Sequence, residues 1–171
     1  MSGTSYRAPW STILKLVTAL GLTVLVGIPL MALGAAPPLS GPLVLLIVGA
    51  PLAIVLICLL YTVRGYELAG SELLIHRLLW PTRVPLDGLK SVDFDPVLLR
   101  GSWRTFGNGG LFSFSGWFRN KRFGNYRAYM TNHATAVILG FGDRTIVVSP
   151  ERPRDFVAAL ERRLQLRSPG R

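Results

Sequence analysis

Two stretches of this chain carry almost no charge and are too long to be ordinary core helices. Ile13 to Leu33 is 21 residues with one charge, Lys15, near its start. Leu43 to Val63 is another 21 residues with none. At a helical rise of about 1.5 Å per residue each reaches about 31 Å, the thickness of a bilayer's hydrocarbon core. A helix that is apolar on every side has no face for water. Between the runs lies GAAPPLSGP, Gly34 to Pro42, whose prolines and glycines stop a helix and turn the chain. The expectation is a transmembrane hairpin over 13–63, with spans 13–33 and 43–63. A cleaved signal peptide fits less well, because its apolar region is shorter and no second span follows it.

The charge distribution orients that hairpin. The connecting loop holds no Lys or Arg, while Arg7 and Lys15 flank one end and Arg64, Arg77 and Arg83 the other. The positive-inside rule then places both termini in the cytoplasm. Trp10 and Tyr61 fall near the expected interfaces. Pro29 and Pro51 are expected to kink the spans. Thr23/Gly27 and Gly49/Ala53 are small residues four apart, which let helices approach closely. No Asp, Glu, Arg or His lies mid-span, as a transporter or proton relay would require. The hairpin reads as an anchor behind a cytoplasmic tail, 1–12.

After Val63 the character changes. Seventeen of the 19 basic residues and all nine acidic ones follow, giving this part a formal charge of +8. Short β-prone segments recur: Tyr66–Leu68 and Glu72–Leu79 around a glycine turn, Arg83–Leu86, Lys90–Asp95, Leu111–Phe114, Tyr126–Thr131, Ala136–Phe141 and Thr145–Ser149. Pro81 and Pro96 are expected to break the pattern. Gly142-Asp143 reads as a hairpin turn. From Arg154 to Gln165, Phe156, Leu160 and Leu164 recur at every fourth position, an apolar helical stripe with Asp155 in its first turn. About seven antiparallel strands and one closing helix predict a small β-barrel over 64–166, with 167–171 a disordered tail.

Several short words in this region resemble the bacterial pleckstrin-homology (PH-like) family. They are Tyr66-Glu67-Leu68 with Glu72-Leu73-Leu74-Ile75, and Val84-Pro85-Leu86-Asp87-Gly88-Leu89-Lys90-Ser91-Val92. The glycine-aromatic series follows: Gly109-Gly110-Leu111-Phe112, Gly116-Trp117-Phe118 and Gly124-Asn125-Tyr126. Ile146-Val147-Val148-Ser149-Pro150 with Phe156 closes the set. The resemblance covers roughly 64–165. It implies a PH-like barrel of two orthogonal sheets with a C-terminal helix, often attached to membrane helices in bacteria. It implies no catalytic activity and carries over no ligand-binding residues.

Chemistry is sparse. The single cysteine, Cys58, sits in an apolar run and reads as a small buried hydrophobe. His76 and His133 are far apart, so no metal site and no cofactor is expected. Ser113 and Ser115 lack a G-x-S-x-G context. Asp93 and Asp95 share a strand face and read as a solvated edge. Gly107-Asn108-Gly109-Gly110 matches neither G-x-G-x-x-G nor a Walker loop, and no helix follows it. The segment RFGNYRAY, Arg122 to Tyr129, departs from the RNA-binding pattern at most positions, so nucleic acid is not an expected partner.

What remains is a basic stretch. No acid lies between Asp95 and Asp143, and six cations do. Arg100, Arg104, Arg119, Lys121, Arg122 and Arg127, with Trp117 among them, form the candidate lipid- or partner-binding set. Each cation near an anionic leaflet contributes about 1 kcal/mol. The expectation is a non-enzymatic module at the cytoplasmic face of a bacterial inner membrane. It would bind a protein partner, lean on anionic lipid headgroups, and could self-associate. The alternative is an accessory subunit of a membrane transport or secretion complex, with the helices as its partner surface.

Overall fold

A computed structural model describes residues 4–35 and 40–167. Two helices are long and apolar enough to cross a membrane: α1 (Thr12–Gly34) and α2 (Gly41–Leu60). Ser11 caps α1, its hydroxyl accepting from the Leu14 N–H at 3.1 Å. Each helix contains one π-helical turn, Thr23–Gly27 and Leu45–Gly49, ending two residues before Pro29 and Pro51 respectively. In α1 the Ile28 N–H bonds back to the Thr23 carbonyl. The wider turn accommodates Pro29 and Pro51, whose rings would otherwise press on the carbonyls of Leu25 and Ile47. A Cβ on Gly27 or Gly49 would touch only its own helix, so neither glycine marks a close helix–helix approach. Gly21 does make a close approach, but to Leu111 of the β domain, whose Cδ1 would lie 3.0 Å from an added Cβ.

Among the described residues the β part consists of ten strands in two open sheets. This corrects the expectation of about seven antiparallel strands in a closed barrel. The first sheet is an antiparallel run of β1 (Thr4–Arg7), β2 (Gly65–Ala69), β3 (Glu72–His76) and β4 (Pro81–Pro85). β1 comes from the segment expected to be a tail. Its Tyr6 is registered with Tyr66, and the Ala8 N–H continues the pairing to Arg64 O at 3.3 Å. Pro81 opens β4 instead of breaking the strand. It lies at the sheet's edge, where a missing N–H is tolerated.

The second sheet has the order β5-β9-β10-β8-β7-β6. Its strands are β5 (Leu89–Asp93), β6 (Trp103–Gly109), β7 (Phe114–Asn120), β8 (Gly124–Met130), β9 (Val137–Phe141) and β10 (Thr145–Val148). β10 runs parallel to β8. After β8 the Asn132 side chain accepts from the Ala134 N–H at 3.0 Å and fixes a short turn, His133–Thr135. That turn carries the chain past one strand position, and β10 returns to fill the gap. Of Leu111–Phe114, read as a strand, the first three residues instead lie in the turn joining β6 to β7 and only Phe114 is in a strand, the first residue of β7.

β9 and β10 are apolar on both faces because both faces are covered. One face, with Leu139, Ile146 and Val148, meets Tyr66, Leu73 and Ile75 of the first sheet. The C-terminal helix α3 (Pro153–Arg167) seals this core with Phe156 and Leu160, both fully buried. Arg163 ties α3 to β2, donating to Gly70 O at 2.6 Å and Leu68 O at 3.0 Å. The opposite face carries Ile138, Val147, Ala128 and Met130 and builds a second core with Phe114, Phe118 and Tyr126. Leu14, from the first turn of α1, is fully buried in this second core. The helix read as an anchor is therefore also a structural element of the β domain.

Tyr66 joins the two sheets. Its hydroxyl donates to Tyr129 O at 2.7 Å and accepts from the Ser149 N–H at 3.0 Å. Complete burial pushes this phenol up to about 12. The Thr131 hydroxyl donates to Pro9 O at 2.9 Å, and the Ser11 N–H bonds Thr131 O at 3.2 Å, so α1 starts where β8 ends.

Candidate functional site

The glycine- and aromatic-rich segment folds into the β6–β7 hairpin, and its residues sort along the hairpin's length. From Thr105 to Phe118 it carries no charge. The turn, Gly110–Ser113, lies against α1. Thr18 donates to Gly110 O at 3.0 Å, and its oxygen accepts from the Phe112 N–H at 3.0 Å. Thr18 is buried by this docking. Phe112 holds φ +67°, a left-handed conformation that a bulky residue adopts only when its surroundings impose it. Its ring packs 6.2 Å from Trp10. Asn108 braces the turn by accepting from the Gly110 and Leu111 N–H groups at 3.1 and 2.9 Å and donating to Leu111 O.

Farther along, Gly107 and Gly116 face each other across the strands. Both have positive φ, +109° and +144°. A Cβ on Gly116 would sit 2.3 Å from the Phe106 carbonyl oxygen. These glycines let the two backbones close together, which is a folding role and not that of a phosphate loop.

The seven candidate residues do not form one face. Trp117 and Arg127 are registered partners on the face of β7 and β8 that continues from Ile146 and Val148, with the Arg127 guanidinium 5.5 Å from the Trp117 ring. Arg119 lies two residues beyond Trp117 on that face, opposite Trp103. Arg104 is registered with Phe118 on the reverse side, and its Nη1 donates to Gly107 O at 3.1 Å. Arg100 follows the short helical turn Pro96–Leu99. Lys121 and Arg122 occupy the β7–β8 turn, at the opposite end of β7 from α1, about 20 Å away along a seven-residue strand. This turn is held by Asn120, which donates to Leu98 O and Ser102 Oγ at 2.9 and 2.8 Å and accepts from the Arg122 N–H.

The structure adds residues that the sequence did not place in the candidate set. Arg77, just past β3, is almost wholly buried at the foot of α2. Its Nη1 donates to Tyr61 O at 2.7 Å, its Nε to Thr82 Oγ1 at 2.7 Å, and its guanidinium lies 5.0 Å from the Tyr61 ring. Tyr129 lies between Arg77 and Arg127, each 5.3 Å from its ring. Trp80 completes the row, edge-on to Tyr61 at 5.4 Å. Burial lowers the Arg77 pKa and raises that of Tyr129. In the row Trp117–Arg127–Tyr129–Arg77–Tyr61–Trp80 rings flank both guanidiniums where α2 meets the β domain.

Other chemistry stays dispersed. His76 pairs with Glu67 at 3.0 Å, and His133 packs edge-on against Phe114 at 4.4 Å. Burial lowers the His133 pKa, which favours the neutral ring. Among the described residues no three His, Cys, Asp or Glu side chains converge on a metal-sized space.

Comparisons with curated proteins and with solved structures give no match. A family model described as a bacterial PH domain matches residues 64–164, more than half the chain. That region spans β2 to the greater part of α3, and PH-like domains are typically non-catalytic binding modules. The chain belongs to the bacterial PH domain family.

Proposed function

We propose that this protein is a membrane-anchored, non-enzymatic PH-like binding module at the cytoplasmic face of a bacterial inner membrane. It would hold a protein partner there while its basic surface leans on anionic headgroups. One observation carries the reading. The outward side chains of α1 and α2 are apolar and open, with Leu16, Leu20, Met31, Leu45 and Leu46 each more than three-fifths exposed. Such a surface is unfavourable in water and suits lipid. The cation-free loop between the helices supports a cytoplasmic β domain. The uncharged β6–β7 turn, docked one to three turns into α1, supports placing that end of the domain at the membrane interface.

Trypsin treatment of sealed membrane vesicles of each sidedness tests this placement. Cleavage at Lys121–Arg122 only when the cytoplasmic face is outward is the expected result. Cleavage only from the other side overturns the orientation. For the lipid part, tryptophan quenching by nitroxide-headgroup lipids should be stronger in anionic than in neutral bilayers containing the full chain, and should weaken with salt. Equal quenching in both overturns it.

A further inference from the structure

All of that row of rings and guanidiniums but Trp80 walls a cleft of about 430 Å³ between the last turns of α2 and strands β6–β8. Ile57, Cys58 and Phe106 make its apolar side, and Arg77 and Arg127 supply two cations beside the rings of Trp117 and Tyr129. No acid lines it. A second cleft of about 280 Å³ continues past Arg127 to Arg83 and Arg144, again without an acid.

Two guanidiniums flanking one ring without a carboxylate are an incomplete arrangement. Among the described residues neither Arg77 nor Arg127 has an ion-pair partner. Arg77 has given up most of its water, and the charge of Arg127 further disfavours its ionised form. A buried charge without a counter-charge is costly. An anion bridging the pair would relieve both the desolvation and the mutual repulsion, and guanidiniums suit phosphate oxygens. The apolar wall gives the rest of the ligand. Ile57 and Ile54, both about half exposed, continue along α2 into the surface that faces lipid. A free phosphate would leave that wall unused.

We propose that this cleft holds one anionic phospholipid, its phosphate between Arg77 and Arg127 and an acyl chain along Ile57 and Ile54 of α2. The absence of acids disfavours headgroups bearing an amine, because no carboxylate lines either cleft to pair with the cation. The proposal rests on the membrane reading above and deepens it: in addition to diffuse attraction to a charged surface, it assigns a stoichiometric lipid.

The test uses the full chain, reconstituted in bilayers with equal phosphatidylglycerol and phosphatidylcholine, then extracted in mild detergent and examined by native mass spectrometry. Wild type should retain one phosphatidylglycerol in preference to phosphatidylcholine. Arg127→Gln, whose side chain is exposed and outside both cores, should lower retention about tenfold, the equivalent of one charge-assisted contact. Lys90→Gln/Arg154→Gln, which removes exposed charge outside both clefts and outside the basic stretch, should leave it unchanged. Excess inorganic phosphate should not displace the lipid. Equal retention of the two lipids, full retention by the Arg127 variant, or displacement by phosphate would each overturn the proposal. The lipid preference of the wild type needs no variant, so a folding defect in Arg127→Gln does not remove the test. Trypsin sidedness fails separately: a domain cut from the outside overturns the membrane reading, whereas correct sidedness with Arg127-independent retention overturns the cleft alone.

Discussion

Replacing Leu14 by alanine distinguishes an anchor helix from a structural one. Leu14 lies on the first turn of α1 and is fully enclosed by the second core, beside Phe114, Phe118 and Met130. The substitution removes three buried carbons, about 2.4 kcal/mol at about 0.8 kcal/mol per methylene, and the unfilled space raises the total to about 3–4 kcal/mol. Leu16, two residues on, is 66% exposed and serves as the control. Its truncation leaves no cavity and should cost no more than about 0.5 kcal/mol. Thermal unfolding of the full chain in nanodiscs, followed by tryptophan fluorescence, reads the difference. At about 3 °C per kcal/mol for a chain of this size, Leu14→Ala should lower Tm by about 10 °C and Leu16→Ala by at most one or two. Equal, small shifts would refute the claim that α1 completes the β domain.

Tyr66→Phe should cost about 2 kcal/mol in urea unfolding, because the buried Ser149 N–H loses its acceptor and Tyr129 O its donor. The same variant should flatten the alkaline limb. A phenol raised to about 12 in the fold contributes fully below its unfolded value of about 10, and that contribution is lost as pH rises through the folded value. Gly116→Ala should destabilise by about 2–3 kcal/mol in the same assay, since the new Cβ would collide with the Phe106 carbonyl at a φ that only glycine adopts readily. Burial lowers the His133 pKa, so its contribution is intact above the unfolded value of about 6.5 and is lost as pH falls below it. Urea midpoints at pH 7.5 and 5.5 should therefore differ more for wild type than for His133→Gln.

The two long helices, the β2–β3 and β9–β10 hairpins and the apolar stripe of α3 were legible because each rests on local pattern: length, period and turn residues. β1 was not, because Thr4–Arg7 is a strand only by virtue of the β2 edge it covers, some sixty residues away. The β6–β7 hairpin was misread for a related reason. Its glycines face each other in the interior of the strands, and the turn falls on Leu111–Ser113, whose β-prone side chains suggest a strand. Phe112 holds its turn conformation with its N–H accepted by Thr18, 94 residues earlier, a contact no local pattern announces. In the candidate site the signal was charge without geometry. Arg127 and Trp117 were legible as part of a basic aromatic stretch, but strand length puts Lys121 and Arg122 far from them. Arg77 lay outside that stretch in sequence and joins it only through the α2–β domain junction.

Hydrogen exchange of the full chain in nanodiscs tests most directly whether the PH-like domain is bound to its two long apolar helices. Two turns of the second sheet offer an internal comparison: Asn108–Ser113, docked on Thr18, and Asn120–Gly124 at the far end of β7. The account predicts strong protection of the Phe112 amide despite its glycine-rich setting, and rapid exchange at Lys121. Thr18→Val, which removes the acceptor of the Phe112 N–H, should abolish the protection at Phe112 alone. Equal, rapid exchange of Phe112 and Lys121 in the wild type would contradict the account.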